Sequence, residues 1–171
     1  MPETAAASLL PLLRQLRDAG GLRVFVETAT GAGDVAYAAG EVFDTVITME
    51  ADKATYEAAH ERLSGRKGIL PLCGESPAMV PNLLPRLVAP AVFWLDAPLP
   101  AGQALPPELP AILAAAQDHV ACLPGPALPE ADLAALTGQA KPFLVIRQGD
   151  LTLLVPQAKA ALGQALSRPG E

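Results

Sequence analysis

The sequence predicts an α/β protein: a doubly wound, mostly parallel sheet with an antiparallel hairpin at its C-terminal end. Three observations carry that prediction. Short apolar runs at 22–27, 45–50, 69–73, 91–96 and 119–123 alternate with helical segments, as buried parallel strands and their crossovers do. The first run ends in Glu27-Thr28-Ala29-Thr30-Gly31-Ala32-Gly33, an acid and a glycine-bearing turn where open α/β sheets bind their ligands. Finally, Gly149-Asp150 separates strand-like runs at 142–147 and 151–155. Glycine at the first position of a two-residue loop reads as a type II′ hairpin.

Each element has its own signal. Leu9, Leu10, Leu12, Leu13 and Leu16 recur at helical spacing and predict a helix over about 4–18, ended by Gly20-Gly21. Asp34 to Val42 is an alanine-rich helix, narrow enough to pack close to the sheet. Asp52 caps a helix running to about Leu63, and Gly65 stops it. Ser76-Pro77 reads as a capping hydroxyl followed by proline at the first helical position, in a helix that ends before Pro90. The stretch from Pro98 to Pro107 is proline-rich and irregular. Helices follow at 108–117, 129–136 and 157–167. Right-handed crossovers then give one domain over residues 1–171, with an N-terminal helix within 1–20 and a tail at 168–171.

At 171 residues and 51% hydrophobic, the chain can bury a core. Only 4% of residues are aromatic, and 12 Lys and Arg face 18 Asp and Glu, for a net charge of -6. Stacking platforms and phosphate-steering patches are thus missing, which predicts no nucleic-acid partner. No apolar stretch nears the ~20 residues that cross a bilayer, and the N-terminus lacks a basic signal region. Those features predict no membrane association and a cytoplasmic location. Cys73 and Cys122 have no CxxC spacing and read as two buried thiols in a reducing compartment. His60 and His119 read as surface or capped residues. So apolar a chain is also compatible with a homodimer paired through an edge strand or a helix.

The candidate site is built from strand ends. Glu27, at the head of the first strand, either accepts a hydrogen bond from a cationic or amine-bearing ligand or caps the next helix. Gly31 and Gly33 carry no Cβ and let the backbone pass close to a ligand. Glu50, at the head of the second strand, can accept from both hydroxyls of a ribose; the alternative is a solvated strand-end acid. A nicotinamide-cofactor domain would share Glu50 but wants Gly-x-Gly-x-x-Gly, whereas Ala36 stands where its last glycine would be. Gly74-Glu75-Ser76 follows the third strand, where Glu75 and Ser76 either face a ligand or merely begin a helix.

Several of these motifs occur together in a known family. Glu27-Thr28, Gly31-Ala-Gly33, Met49-Glu50, Tyr56, Arg62, Gly74-Glu-Ser76 and above all Phe93-Trp94-Leu95-Asp96-Ala97 resemble the class I S-adenosylmethionine-dependent methyltransferases. Within them the chain is most similar to a small bacterial group with a Phe-Trp-Leu-Asp-Ala-His motif, related to sugar and antibiotic O-methyltransferases. The resemblance covers residues 22–98 well and implies a Rossmann-like methyltransferase fold, of which the terminal hairpin is a regular part. It further implies S-adenosylmethionine as cofactor and a small-molecule acceptor. The cofactor would be held by Glu27, Thr28, Gly31, Gly33, Glu50, Glu75 and Ser76, with Glu75 near the adenine amino group. Asp96 would be the catalytic residue, beside the transferring methyl as a base or a metal ligand for the acceptor hydroxyl. Three positions depart from the family: Ala29 replaces the first glycine of the acid-x-Gly-x-Gly-x-Gly pattern, and Pro98 replaces the motif histidine. Cys122-Leu-Pro-Gly-Pro126 stands where the group often has an acid pair. With Asp96 as the remaining obvious donor, no metal is expected. These losses leave open a non-catalytic descendant that keeps the fold as a binding or scaffold module.

Overall fold

The computed structural model describes residues 3–137 and 141–168. Five apolar runs form parallel strands: β1 (Val24–Thr28), β2 (Thr45–Glu50), β3 (Ile69–Cys73), β4 (Ala91–Leu95) and β5 (Val120–Pro124). Two more, β6 (Phe143–Gln148) and β7 (Leu151–Pro156), make an antiparallel hairpin. One seven-stranded sheet results, in the order β3-β2-β1-β4-β5-β7-β6, with β7 antiparallel to β5. The chain leaves β1 in one direction to β2 and β3, and returns to the other side of β1 for β4. That reversal makes the head of β1, between β2 and β4, the place where open sheets of this kind hold ligands. In the hairpin turn Gly149 has φ +56°, and among the described residues none other than glycine has positive φ. This fits type II′, since type I′ would demand positive φ at Asp150 as well.

Helices α1 (Glu3–Gly20), α2 (Asp34–Ala39), α3 (Lys53–Leu63) and α7 (Ala160–Leu166) cover one face. Leu13, Leu16, Ala36, Ala39, Leu63, Leu162 and Leu166 there pack on Phe25, Val46, Val92, Trp94 and Leu153. On the other face, α4 (Ser76–Leu83), α5 (Leu109–Ala114) and α6 (Glu130–Thr137) set Val80, Leu109, Ile112, Leu133 and Leu136 against Val26, Ile47, Phe93 and Leu154. Successive strand residues point to opposite faces. In β1 this sends Phe25 and Glu27 toward the layer of α1 and α2, and Val26 and Thr28 toward the layer of α4 and α5.

The structure corrects several expectations. Helix α2 stops at Ala39 instead of Val42: Gly40 is its C-cap, and the chain turns there through Val42 N–H to Ala39 O. Helix α5 stops at Ala114 instead of Gln117, whose side-chain amide donates to Leu87 O. A 3-10 turn at Gln157–Lys159 takes up the start of the last predicted helix. Ser76 is not the cap of α4; Glu75 holds that position and Ser76 lies inside the first turn. Cys73 is exposed, because it ends the edge strand β3, whereas Cys122 is buried and burial pushes its thiol well up. His60 is exposed. His119 is buried instead, its Nδ1 accepting from Ala91 N–H at 3.0 Å, and burial lowers its pKa to about 4. Asp52 caps α3 as predicted, accepting from Thr55 N–H at 2.8 Å. Met1 and Pro2 of the N-terminal segment and residues 169–171 of the predicted tail lie outside the described residues. Among the described residues no helix is long and apolar enough to cross a membrane.

Candidate functional site

The heads of β1, β2 and β3 and the loop after β4 enclose a cavity of about 320 Å³. That lies at the lower end of the range of small-ligand pockets, about 300–1,000 Å³. Its wall carries Thr28, Glu50, Glu75 and Ser76, four of the predicted residues, beside Met49, Ala97 and prolines of the 98–107 segment. Four acidic side chains line it (Glu50, Asp52, Glu75 and Glu108), and no Lys, Arg or His does. A second cavity, of about 440 Å³, adjoins it and shares Ala97, Leu99 and Pro106. Asp96 lies on this second wall among Leu95, Leu123, Leu128 and four prolines.

Glu50 is 8% exposed and fixed at the head of β2. Its Oε1 accepts from Asp52 N–H and its Oε2 from Gly31 N–H, each at 3.0 Å. A carboxylate offers about four acceptor positions, so each oxygen keeps one for a ligand hydroxyl. The alternative of a solvated strand-end acid does not match this burial.

Glu27 occupies a different setting. It is buried on the opposite face of β1 and absent from the cavity wall. Thr48 Oγ1 donates to its Oε2 at 2.6 Å, and Thr30 Oγ1 lies 2.6 Å from Thr48 Oγ1, so a hydroxyl chain runs beneath the loop. Burial pushes Glu27 up to about 8; the Thr48 hydrogen bond opposes this, while the charges of Asp96, Glu50 and Asp34 add to it. Nor does Glu27 cap α2, because Gly33 holds that position with φ +81°.

The glycine loop folds onto β2. Thr30 N–H donates to Met49 O at 3.0 Å, continuing the strand pairing, and Gly31 with φ +53° then aims its N–H at Glu50. Neither Gly31 nor Gly33 lines the cavity. The loop is clamped from α3, where Arg62 donates to Ala32 O at 2.7 Å and pairs with Asp34 at 2.6 Å. Gly33 is small because α3 is close: a Cβ there would meet Leu63 Cδ1 at 3.3 Å.

Asp96 follows β4, and its backbone N–H donates to Thr28 O. Its side chain is exposed at the cavity, and the buried part of its surroundings raises its pKa, which favours a proton acceptor. Glu75 is exposed, and its side chain makes no cap hydrogen bond.

One wall residue escaped the sequence reading. Glu108, just before α5, is 3% exposed and accepts from Ser76 Oγ at 2.8 Å and Thr28 Oγ1 at 3.4 Å, both at Oε1. Its signal was its isolation, as the only charged residue between positions 97 and 117.

No family model matches the chain, and no curated protein matches it. Solved structures do match in fold. An O-methyltransferase from Bacillus cereus, in complex with SAH, superimposes with TM-score 0.60 at 12% identity, over 86% of this chain and 80% of that one. A methyltransferase from Geobacter sulfurreducens gives 0.60 at 14% identity, over 85% and 76%. The 16S rRNA N2 G1207 methyltransferase of T. thermophilus, in complex with AdoMet and guanosine, gives 0.58 at 17% identity, over 87% of this chain and 42% of that one. The fold is therefore the Rossmann-like methyltransferase fold, seven-stranded and mostly parallel, with antiparallel strands at its C-terminal end.

These neighbours overturn one expectation. Net charge and aromatic scarcity predicted no nucleic-acid partner, yet the same fold serves an rRNA methyltransferase. More than half of that protein lies outside the shared part, so whole-chain charge in the common fold does not decide whether nucleic acid is the acceptor.

Proposed function

We propose that the 320 Å³ cavity binds S-adenosylmethionine and that the protein transfers its methyl group to a small molecule seated in the adjoining cavity. Glu50 is the observation that carries this reading: a buried carboxylate at the head of β2, with one acceptor position left on each oxygen, matches a ribose diol. Four acidic side chains and no basic one on the wall suit a cationic ligand. When bound, the cofactor supplies an electrophilic methyl on a sulfonium. The chain's own part is then mostly proximity. The wall shared by the two cavities lets an acceptor approach the cofactor, and Asp96 takes the proton that the acceptor heteroatom loses. The apolar lining around Asp96 suits an apolar molecule carrying one hydroxyl or amine.

A second reading, a binding module without turnover, is favoured by Pro98, which can neither accept nor donate a side-chain proton, and by Leu123-Pro124-Gly125 at the end of β5. Transfer of labelled methyl from S-adenosylmethionine to a panel of phenols, alcohols, amines and bulk RNA separates the two. The proposal expects a small apolar acceptor to be methylated, with Asp96→Asn slower by about 10²-fold, the low end for a positioned base. Full turnover in Asp96→Asn would remove that role. Methylation of RNA alone would overturn the small-molecule acceptor. No transfer to any acceptor, with the cofactor still bound, would establish the second reading.

A further inference from the structure

The two edges of the sheet differ. Strand β3 ends it on one side and carries Pro71 at mid-strand, which has no N–H to offer a further strand. Strand β6 ends it on the other side, and Phe143 to Gln148 contain no proline. Gln148 and Leu151 flank the turn and pair with each other, so the hydrogen bonds that β6 exchanges with β7 fall at Gln148, Ile146 and Leu144. The N–H and C=O groups of Phe143, Val145 and Arg147 therefore point away from the sheet. The helices leave this edge uncovered: an open groove of about 710 Å³ runs between β6, α1 and the end of α7, past Leu12, Ile146 and Leu166. Val145, near the middle of the strand, is 40% exposed and has apolar surface left to cover.

The strand is also complementary to itself. Laid antiparallel on a second copy about a two-fold axis at Val145, each Val145 exchanges bonds with its counterpart, and Phe143 does so with Arg147. The outward-pointing groups are the ones that pair, so none is left over. Leu144 falls opposite Ile146. Arg147, the one charged side chain of β6, faces an aromatic ring instead of its own like charge. Moving the axis to Arg147 would set two guanidinium groups against each other. In a chain with 18 Asp and Glu and a net charge of -6, neither β6 nor the groove contains an acid. Two copies therefore approach here with little repulsion. We infer that β6 is a dimer interface, joining two copies antiparallel about Val145 into one continuous sheet. Arg147 also donates to Leu128 O at 3.2 Å, so the interface adjoins the wall of the cavity that holds Asp96.

Sedimentation equilibrium of the intact protein tests this at about 0.1 mM, where an association of micromolar strength is essentially complete. The unaltered protein should show twice the mass of one chain. Val145→Lys and Val145→Glu each set like charges together at the axis and should be monomers, and their equimolar mixture should recover the dimer. Only a contact in which position 145 meets its own copy predicts that recovery. Should either variant not fold, amide exchange in the unaltered protein decides. Dilution to monomer should speed exchange at Phe143, Val145 and Arg147 by about 10-fold or more, and leave Leu144 and Ile146 unchanged. A monomeric unaltered protein would overturn the inference and leave this edge, with Arg147 and Arg168 as the charged residues of its groove, to an acidic strand of another protein. A dimer that persists in both variants would overturn it too, as would a mixture that stays monomeric or an exchange pattern that dilution does not alter.

Discussion

At the scale of single residues, Glu27 gives the sharpest pH prediction. Its carboxyl is raised from 4.5 to about 8 by burial, with only the Thr48 hydroxyl favouring the ionised form. The carboxylates facing it, Asp96, Glu50 and Asp34, all oppose ionisation. The folded state therefore holds a proton that the unfolded chain releases above pH 4.5. The contribution is fully present below that pH and is lost as pH rises through about 8. The slope attributable to this one group reaches about 1.4 kcal/mol per pH unit at most. Glu27→Gln keeps the shape and cannot ionise. The stability of the wild type relative to Glu27→Gln should thus fall steadily from pH 5 to pH 8 in denaturant titrations, at about that limiting slope. Parallel pH profiles for the two proteins would mean that Glu27 is not buried as a protonated acid.

Among the elements, the loop from β1 to α2 is held by α3, and its two glycines have separate jobs. Gly31 and Gly33 both have positive φ, which costs a residue with a Cβ about 1–2 kcal/mol. Only Gly33 also has a close neighbour, Leu63. Gly33→Ala should therefore destabilise by more than Gly31→Ala, which should cost about 1–2 kcal/mol in chemical denaturation. Equal losses would show that α3 does not press on the loop. The same elements mark what the sequence could convey. Strands β2 and β3 begin and end where the apolar runs do, at Thr45–Glu50 and Ile69–Cys73, because acids, glycines and prolines punctuate them locally. Helix α2 was overextended past its C-cap Gly40, where the chain turns through Val42 N–H to Ala39 O. Glu50 was legible as the end of a strand. Glu108 was not, since its burial depends on Ser76 and Thr28, separated from it by 32 and 80 positions. Gly31 and Gly33 were legible as a turn, but their backbone serves Glu50 and α3 instead of lining the cavity.

For the molecule as a whole, charge and topology converge on one place. The reversal of strand order at β1 opens a crevice there, and the crevice is lined by acids in a chain of net charge -6. A cationic ligand should be favoured over its neutral analogue. S-Adenosylmethionine should accordingly bind more tightly than S-adenosylhomocysteine. The gap should narrow between about 0.01 M and 1 M salt, as the screening length falls from about 30 Å to about 3 Å. Equal affinities at every salt concentration would show that the wall charges do not reach the sulfur.

The most direct test of the central claim is calorimetric titration of the protein with S-adenosylmethionine and S-adenosylhomocysteine, beside Glu50→Ala. Both ligands should bind saturably and one-to-one, and Glu50→Ala should weaken that binding by at least about tenfold, the loss expected when charge-assisted hydrogen bonds to a diol are removed. Binding of neither ligand, or equal binding by a folded Glu50→Ala protein, would contradict it.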